Sequence, residues 1–141
     1  MRPRYESAKD RDAELKFAAQ MLEERGEEYV KLPDSSIVDF CVKVGDEYRG
    51  FAEFKRRYVL AAQYPTLILA LHKWNSLVEY SLWSSARLWV QYDDCLKYLD
   101  IDEALKPEVK QAGRRDRDDR ADIEACVHIP ISWLHVYETD R

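Results

Sequence analysis

The stretch SIVDFCVKVGDEYRGFAEFKRR, residues 36–57, decides how the chain folds. Val38, Phe40, Val42 and Val44 alternate with Asp39, Cys41 and Lys43, and Phe51, Glu53 and Lys55 alternate with Ala52, Phe54 and Arg56. A period of two marks a strand, because successive side chains leave its two faces in turn. Gly45, Asp46 and Glu47 lie between the runs and supply a turn, so the stretch reads as an antiparallel hairpin. Centred near Asp46, the hairpin sets Asp39 opposite Glu53. Opposed residues on antiparallel strands hold their Cβ atoms about 4.5–5.5 Å apart, and Lys55 shares a face with Glu53.

Two carboxylates that close repel unless something positive lies between them. A divalent cation resolves the conflict. Mg²⁺ prefers hard oxygen ligands, takes one or two carboxylates with phosphate oxygens, and keeps several waters. Lys55 beside such a site could orient or deprotonate a water and stabilise charge on a phosphate in flight. The set fits phosphodiester hydrolysis. On spacing alone an amphipathic hairpin with solvated or cross-strand paired charges fits equally well, since Asp…Glu-x-Lys is short and frequent.

Val38-Asp39, followed by Glu53-Phe54-Lys55, resembles the PD-(D/E)XK nuclease superfamily, although the proline of that motif is missing. AELKFAAQMLEERGEEY, YPTLILALHKW and GRRDRDDRADIEACVHIPI are similar to segments of small phage-encoded members, so the resemblance covers most of the chain. It implies an α/β protein with a restriction-endonuclease-like αβββαβ core, a mixed central sheet flanked by helices. It also implies a metal-dependent nuclease acting on DNA, using Mg²⁺ with Mn²⁺ as a substitute. Asp39, Glu53 and the Phe54 carbonyl would then hold the metal, Lys55 would position the water, and Glu14 would join directly or through water. Glu6 is the rival helical carboxylate. The alternative is a catalytically silent accessory factor of the same fold that binds DNA or protein.

At 141 residues the chain is expected to form one domain, 1–141, with a single core. No apolar run approaches the roughly 18 residues of a membrane span, and MRPRYESAKDRDAE has no apolar signal region, so a cytoplasmic protein is expected. Cys41, Cys95 and Cys126 are odd in number and lack CxxC spacing, which points to neither a disulfide framework nor a zinc site. Walker A, Rossmann, HExxH and GxSxG patterns are absent, which argues against nucleotide hydrolysis, redox chemistry and serine or zinc hydrolysis. A net charge of −5 counts against broad phosphate binding. Lys55, Arg56, Arg57, Lys73 and Arg87 are expected to offset it locally as a basic rim, so that metal-free DNA binding is weak and salt-sensitive.

In chain order, Ser7 to Gly26 reads as a helix whose apolar stripe is Leu15, Ala18, Ala19 and Leu22, widened by Phe17 and Met21. Glu14 borders that stripe by helical spacing, where it either reaches a metal or pairs with a nearby cation. Tyr29–Leu32 is expected to be a strand, residues 33–35 a turn and residues 58–64 a loop. Pro65 should open a helix with Leu67, Ala70, Leu71, Trp74, Leu77, Val78 and Ser81 on one stripe and Lys73 at its edge. Arg87–Tyr92 and Cys95–Ile101 read as strands about an Asp93-Asp94 turn. Residues 102–122 read as a charged loop, in which Arg114 and Arg115 are either solvated or a flexible arm for DNA phosphates. A last strand at Cys126–Ile131 and an amphipathic tail at 133–137 complete the pattern. Four tryptophans and nine tyrosines leave an aromatic homodimer interface open.

Overall fold

The structure, a computed structural model, describes residues 8–113 and 123–139. It begins with helix α1 (Ala8–Arg25), which stops where Gly26 takes a positive φ of 66°, the left-handed conformation glycine adopts at helix ends. The face α1 buries is not the expected stripe. Phe17 and Met21 are buried, whereas Leu15 and Leu22 are 69% and 56% exposed. Phe17 decides the rotation: its ring stacks on Phe54 at 4.6 Å and packs against Trp89 at 5.3 Å, contacts a leucine face could not replace.

Strands β1 (Glu28–Lys31), β2 (Phe40–Val44) and β3 (Glu47–Arg56) follow as an antiparallel meander. The hairpin turns tightly over Gly45-Asp46, with Gly45 at a φ of 59°. A bulge between Val42 and Lys43 shifts the register near the turn, while Phe40↔Ala52, Cys41↔Phe51 and Val42↔Gly50 keep the pairing expected from the sequence. Asp39, one residue before β2, is tied to β3 at Glu53 and Phe54 by hydrogen bonds.

The segment expected to open the second helix is instead strand β4 (Thr66–Ala70), and helix α2 runs from Leu71 to Trp83. Its alternation explains this: Leu67 and Leu69 are buried while Ile68 is 42% exposed. Strands β5 (Ala86–Gln91) and β6 (Leu96–Asp100) come next, joined at Asp93-Asp94 as expected. The region expected to be a loop carries strand β7 (Glu108–Gly113), and β8 (Ile123–Pro130) starts earlier than expected because its first residues pair with β7, its later ones pairing with β4. A short 3-10 turn (Ile131–Trp133) leads to β9 (His135–Val136), which pairs with β6, so that the expected amphipathic tail lies against the core through Leu134 and Tyr137.

Among the described residues the strands make two sheets, ordered β1-β2-β3-β5-β6-β9 and β4-β8-β7. The first is mixed, since β3 and β5 run parallel and its other neighbours antiparallel. One face of it packs on α1 through Phe40, Val42, Ala52, Phe54 and Trp89. The other packs on α2 and the smaller sheet through Leu88, Val90, Trp74, Leu77, Leu69 and Val127. The fold is thus α/β, a mixed central sheet flanked by helices. No described helix is long and apolar enough to cross a membrane.

Candidate active site

Alternation along β3 sends Ala52 and Phe54 towards α1 and leaves Glu53 and Lys55 facing α2. The end of β1, the start of β2 and the second half of β3 meet at one end of the sheet, between the first turns of α1 and of α2. There they enclose a cleft of about 490 Å³ whose lining includes Glu14, Asp39, Glu53, Phe54, Lys55 and Lys73.

Asp39 and Glu53 exchange backbone contacts across the hairpin. The Asp39 N–H donates to Glu53 Oε2 at 3.2 Å, and the Phe54 N–H donates to Asp39 Oδ2 at 3.1 Å. Each carboxylate therefore satisfies an amide of the opposite strand, which fixes both side chains before any ligand arrives. Glu53 is only 1% exposed. Its Oε1 lies 2.5 Å from Lys73 Nζ and 3.6 Å from Lys55 Nζ. Asp39 Oδ1 is 3.6 Å from Lys31 Nζ, which also sits 2.5 Å from Glu14 Oε1. Two acid–lysine clusters thus stand side by side.

Burial pushes the Glu53 carboxyl above the ordinary range, opposed by Lys55, reinforced by Asp39 and opposed again by Lys73. Burial pulls the Lys55 ammonium below its usual value; Glu53 works against that pull, and Lys73 and Arg57 add to it. Lys73 is buried too, but its contacts with Glu53 outweigh burial and raise it. Of the two lysines, Lys73 is the charge partner of Glu53. Lys55 is the one whose proton is held loosely, the property wanted in a group that moves protons.

The donor set fits a hard divalent cation. Among the described residues no three His, Cys, Asp or Glu side chains converge closely enough to hold an ion alone. Two carboxylates with room for water and phosphate oxygens are what Mg²⁺ takes, and the cleft lining has neither the thiolate nor the imidazole that zinc favours.

The cleft gathers Glu14, Asp39, Glu53, Phe54, Lys55, Arg56, Arg57 and Lys73 from the sequence reading. Arg56 is held by Asp93 at 2.7 Å and lies 4.2 Å over the Tyr58 ring. Arg57 donates to the Ile68 carbonyl at 3.1 Å, and burial lowers its pKa. Lys73, expected on the rim, points inward to Glu53. Arg87 must be struck from the rim: it is not in the lining, and instead pairs with Asp100 at 2.6 Å while lying over Tyr98 on the α1 side of the sheet. The reason is parity, for Arg87 shares a strand face with Trp89. Glu6, Arg114 and Arg115 lie outside the described residues. Sequence reasoning missed Lys31. Pairing the first strand with the second, which sets Lys31 against Phe40, would have brought it beside Asp39.

An acidic pair and a lysine on two joined strands, beside a helical glutamate, is the arrangement of one nuclease family, and residues 1–136 match the model described as "Phage putative PDDEXK endonuclease". The chain belongs to this family. Among solved structures, the PDDEXK chain is similar to Archaeoglobus fulgidus Hjc, a Holliday junction resolvase from an archaeal hyperthermophile. The TM-score is 0.52 at 16% identity, over 66% of this chain and 73% of that one. At that identity the likeness is one of fold, here the restriction-endonuclease-like fold. No curated protein matches the chain.

Proposed function

We propose that this PDDEXK chain is a metal-dependent nuclease that hydrolyses phosphodiester bonds of DNA. The observation that carries the reading is the Asp39–Glu53 exchange with Lys55 two strand positions beyond Glu53, and so on the same face. Membership of an endonuclease family and a fold shared with a junction resolvase support it. Asp39, Glu53 and the Phe54 carbonyl would hold Mg²⁺ or Mn²⁺, which when bound supplies Lewis-acid stabilisation of the phosphate and acidifies water.

The chain's own residues do the rest. Lys55 Nζ, beside Glu53 on the same strand face, orients the attacking water and stabilises the charge that builds on the phosphate, while the water's proton leaves to solvent and the departing oxygen takes one from solvent. Lys73, in contact with Glu53 Oε1, opposes the rise that burial imposes on that carboxyl and holds the side chain in place. Glu14, tethered to Lys31, stands on the far side of Asp39 and orders solvent there. Arg57 and Arg56 meet the flanking backbone phosphates.

The test is cleavage of supercoiled, linear, single-stranded and branched DNA by the purified protein with Mg²⁺ or Mn²⁺, beside EDTA and Asp39→Asn. Metal-dependent cutting that disappears in Asp39→Asn is the expected outcome. Mn²⁺ binding that persists with no substrate cut would instead favour the silent accessory factor.

A further inference from the structure

Against the cleft lies a second hollow, of about 310 Å³, with walls of the opposite character. Leu60, Tyr64, Pro65, Ile68, Tyr92 and Ile131 line it. Leu60, Tyr64 and Ile68 stand open to solvent there, at 55%, 56% and 42%. It is therefore an apolar, partly aromatic recess of ligand-binding size that the fold does not fill. Arg57 lines both the cleft and the hollow. Its guanidinium is tied to the Ile68 carbonyl on β4, so a fixed cation stands at the partition between a charged chamber and an apolar one.

A nucleotide has the same two-part chemistry, an anionic phosphate joined to a flat base with an apolar face. Resting on the nuclease reading above, we infer that the hollow receives an unstacked nucleobase of the strand whose backbone occupies the cleft, with Arg57 gripping the phosphate between them. The continuity of the two chambers through Arg57 and their matched charge character select this occupant. Tyr64 supplies the stacking face. Stacking on an aromatic ring is tolerant of base identity because every base has a π-face, so no sequence preference is expected from it. Taking a base out of the helix is cheapest where it has no partner already. The substrate class is accordingly DNA with an unpaired nucleotide beside the scissile phosphate, in preference to perfect duplex.

Two measurements on the intact chain test this. The first compares Mn²⁺-dependent cleavage of a duplex carrying one unpaired base with that of the same duplex carrying an abasic residue at that place. The wild type is expected to prefer the base by about tenfold, and Tyr64→Ala to bring the ratio near one. Trp83→Ala, an exposed aromatic at the end of α2, should keep the ratio. The second measures 2-aminopurine emission at the unpaired position in EDTA at low salt, where cleavage plays no part and the weak metal-free complex can be saturated with protein. Tyrosine stacking should change the emission on binding, and Tyr64→Ala should abolish the change. Cleavage with equal rates for base and abasic substrates, or binding with unaltered emission, overturns the base pocket and leaves the nuclease reading standing. Failure to bind DNA in either state overturns both.

Discussion

Glu53 keeps almost no surface in solvent, and Lys73 and Lys55 are the cations within reach of its Oε1. Removing one partner of a buried pair leaves an uncompensated charge, at a cost of about 3–5 kcal/mol. Lys73→Met should therefore lower stability to urea by about 3 kcal/mol, and by under about 1 kcal/mol in a Glu53→Gln background. Equal losses in both backgrounds would assign Lys73 a packing role only. Lys55→Ala should reduce cleavage at least about a hundredfold with Mn²⁺ affinity retained, and a variant that cuts at the wild-type rate would remove Lys55 from the chemistry. Away from the cleft, Tyr29 accepts a hydrogen bond from the Trp89 indole at 3.0 Å, and burial raises its hydroxyl above the ordinary value. Because the folded pKa exceeds the unfolded one, its share of stability is intact below about pH 10 and is lost as pH climbs beyond. Tyr29→Phe should cost about 1–2 kcal/mol at neutral pH by orphaning the indole N–H. The gap to wild type should then narrow between about pH 9.5 and 11.5, as read by urea midpoints; a gap that widens would reverse the sign.

Among the elements, α1 gives the sharpest contrast. Phe17→Ala should destabilise by about 3–5 kcal/mol, whereas Leu15→Gln and Leu22→Gln should each stay within about 0.5 kcal/mol, as measured by thermal or urea unfolding. The same helix marks a limit of sequence reading. Its C-terminal end was legible from Gly26, while the Ser7 start lies outside the described residues; two faces were apolar, and only tertiary packing of Phe17 against Phe54 chose between them. Residues 65–70 failed for a related reason. Leu67, Ala70 and Leu71 satisfy helical spacing, Leu67 and Leu69 satisfy strand alternation, and the pairing with a segment some sixty residues away settled the matter. The hairpin was legible because its two runs are local and its charged residues alternate unambiguously, which also made Asp39, Glu53 and Lys55 legible. Lys31 was not, and whether Lys73 reached the site or lay along the apolar edge stayed open, since both depend on how separate elements meet. Within the hairpin Gly50 has a steric duty: a Cβ there would lie 2.1 Å from Ser85 Oγ and 2.6 Å from the Ser85 carbonyl oxygen. Gly50→Ala should therefore unfold more easily than Gly45→Ala. At Gly45 nothing lies within 4 Å, and the loss is the left-handed backbone penalty of about 1–2 kcal/mol.

For the molecule as a whole, the balance of charge sets how it meets DNA. The cleft lining carries five basic side chains (Lys31, Lys55, Arg56, Arg57, Lys73) and five acidic ones (Asp10, Glu14, Asp34, Asp39, Glu53), within a chain of net charge −5. Without metal, duplex binding should be weak and fall further with salt, and Ca²⁺ or Mn²⁺ should tighten it by offsetting the carboxylates. Tight metal-free binding at physiological salt would contradict this balance. The parallel contact of β3 with β5 has a further consequence. Phe51 meets Ala86 and Lys55 meets Val90, so the crossover through β4 and α2 must be completed before β5 can dock on β3. Parallel pairing across so long a connection is slow relative to formation of a local hairpin. During refolding the Asp39–Glu53 hairpin should appear first, and Lys73 should close over it only in the slow, final phase. A nascent chain would thus be assembled almost to its centre before it could harm the nucleic acid around it.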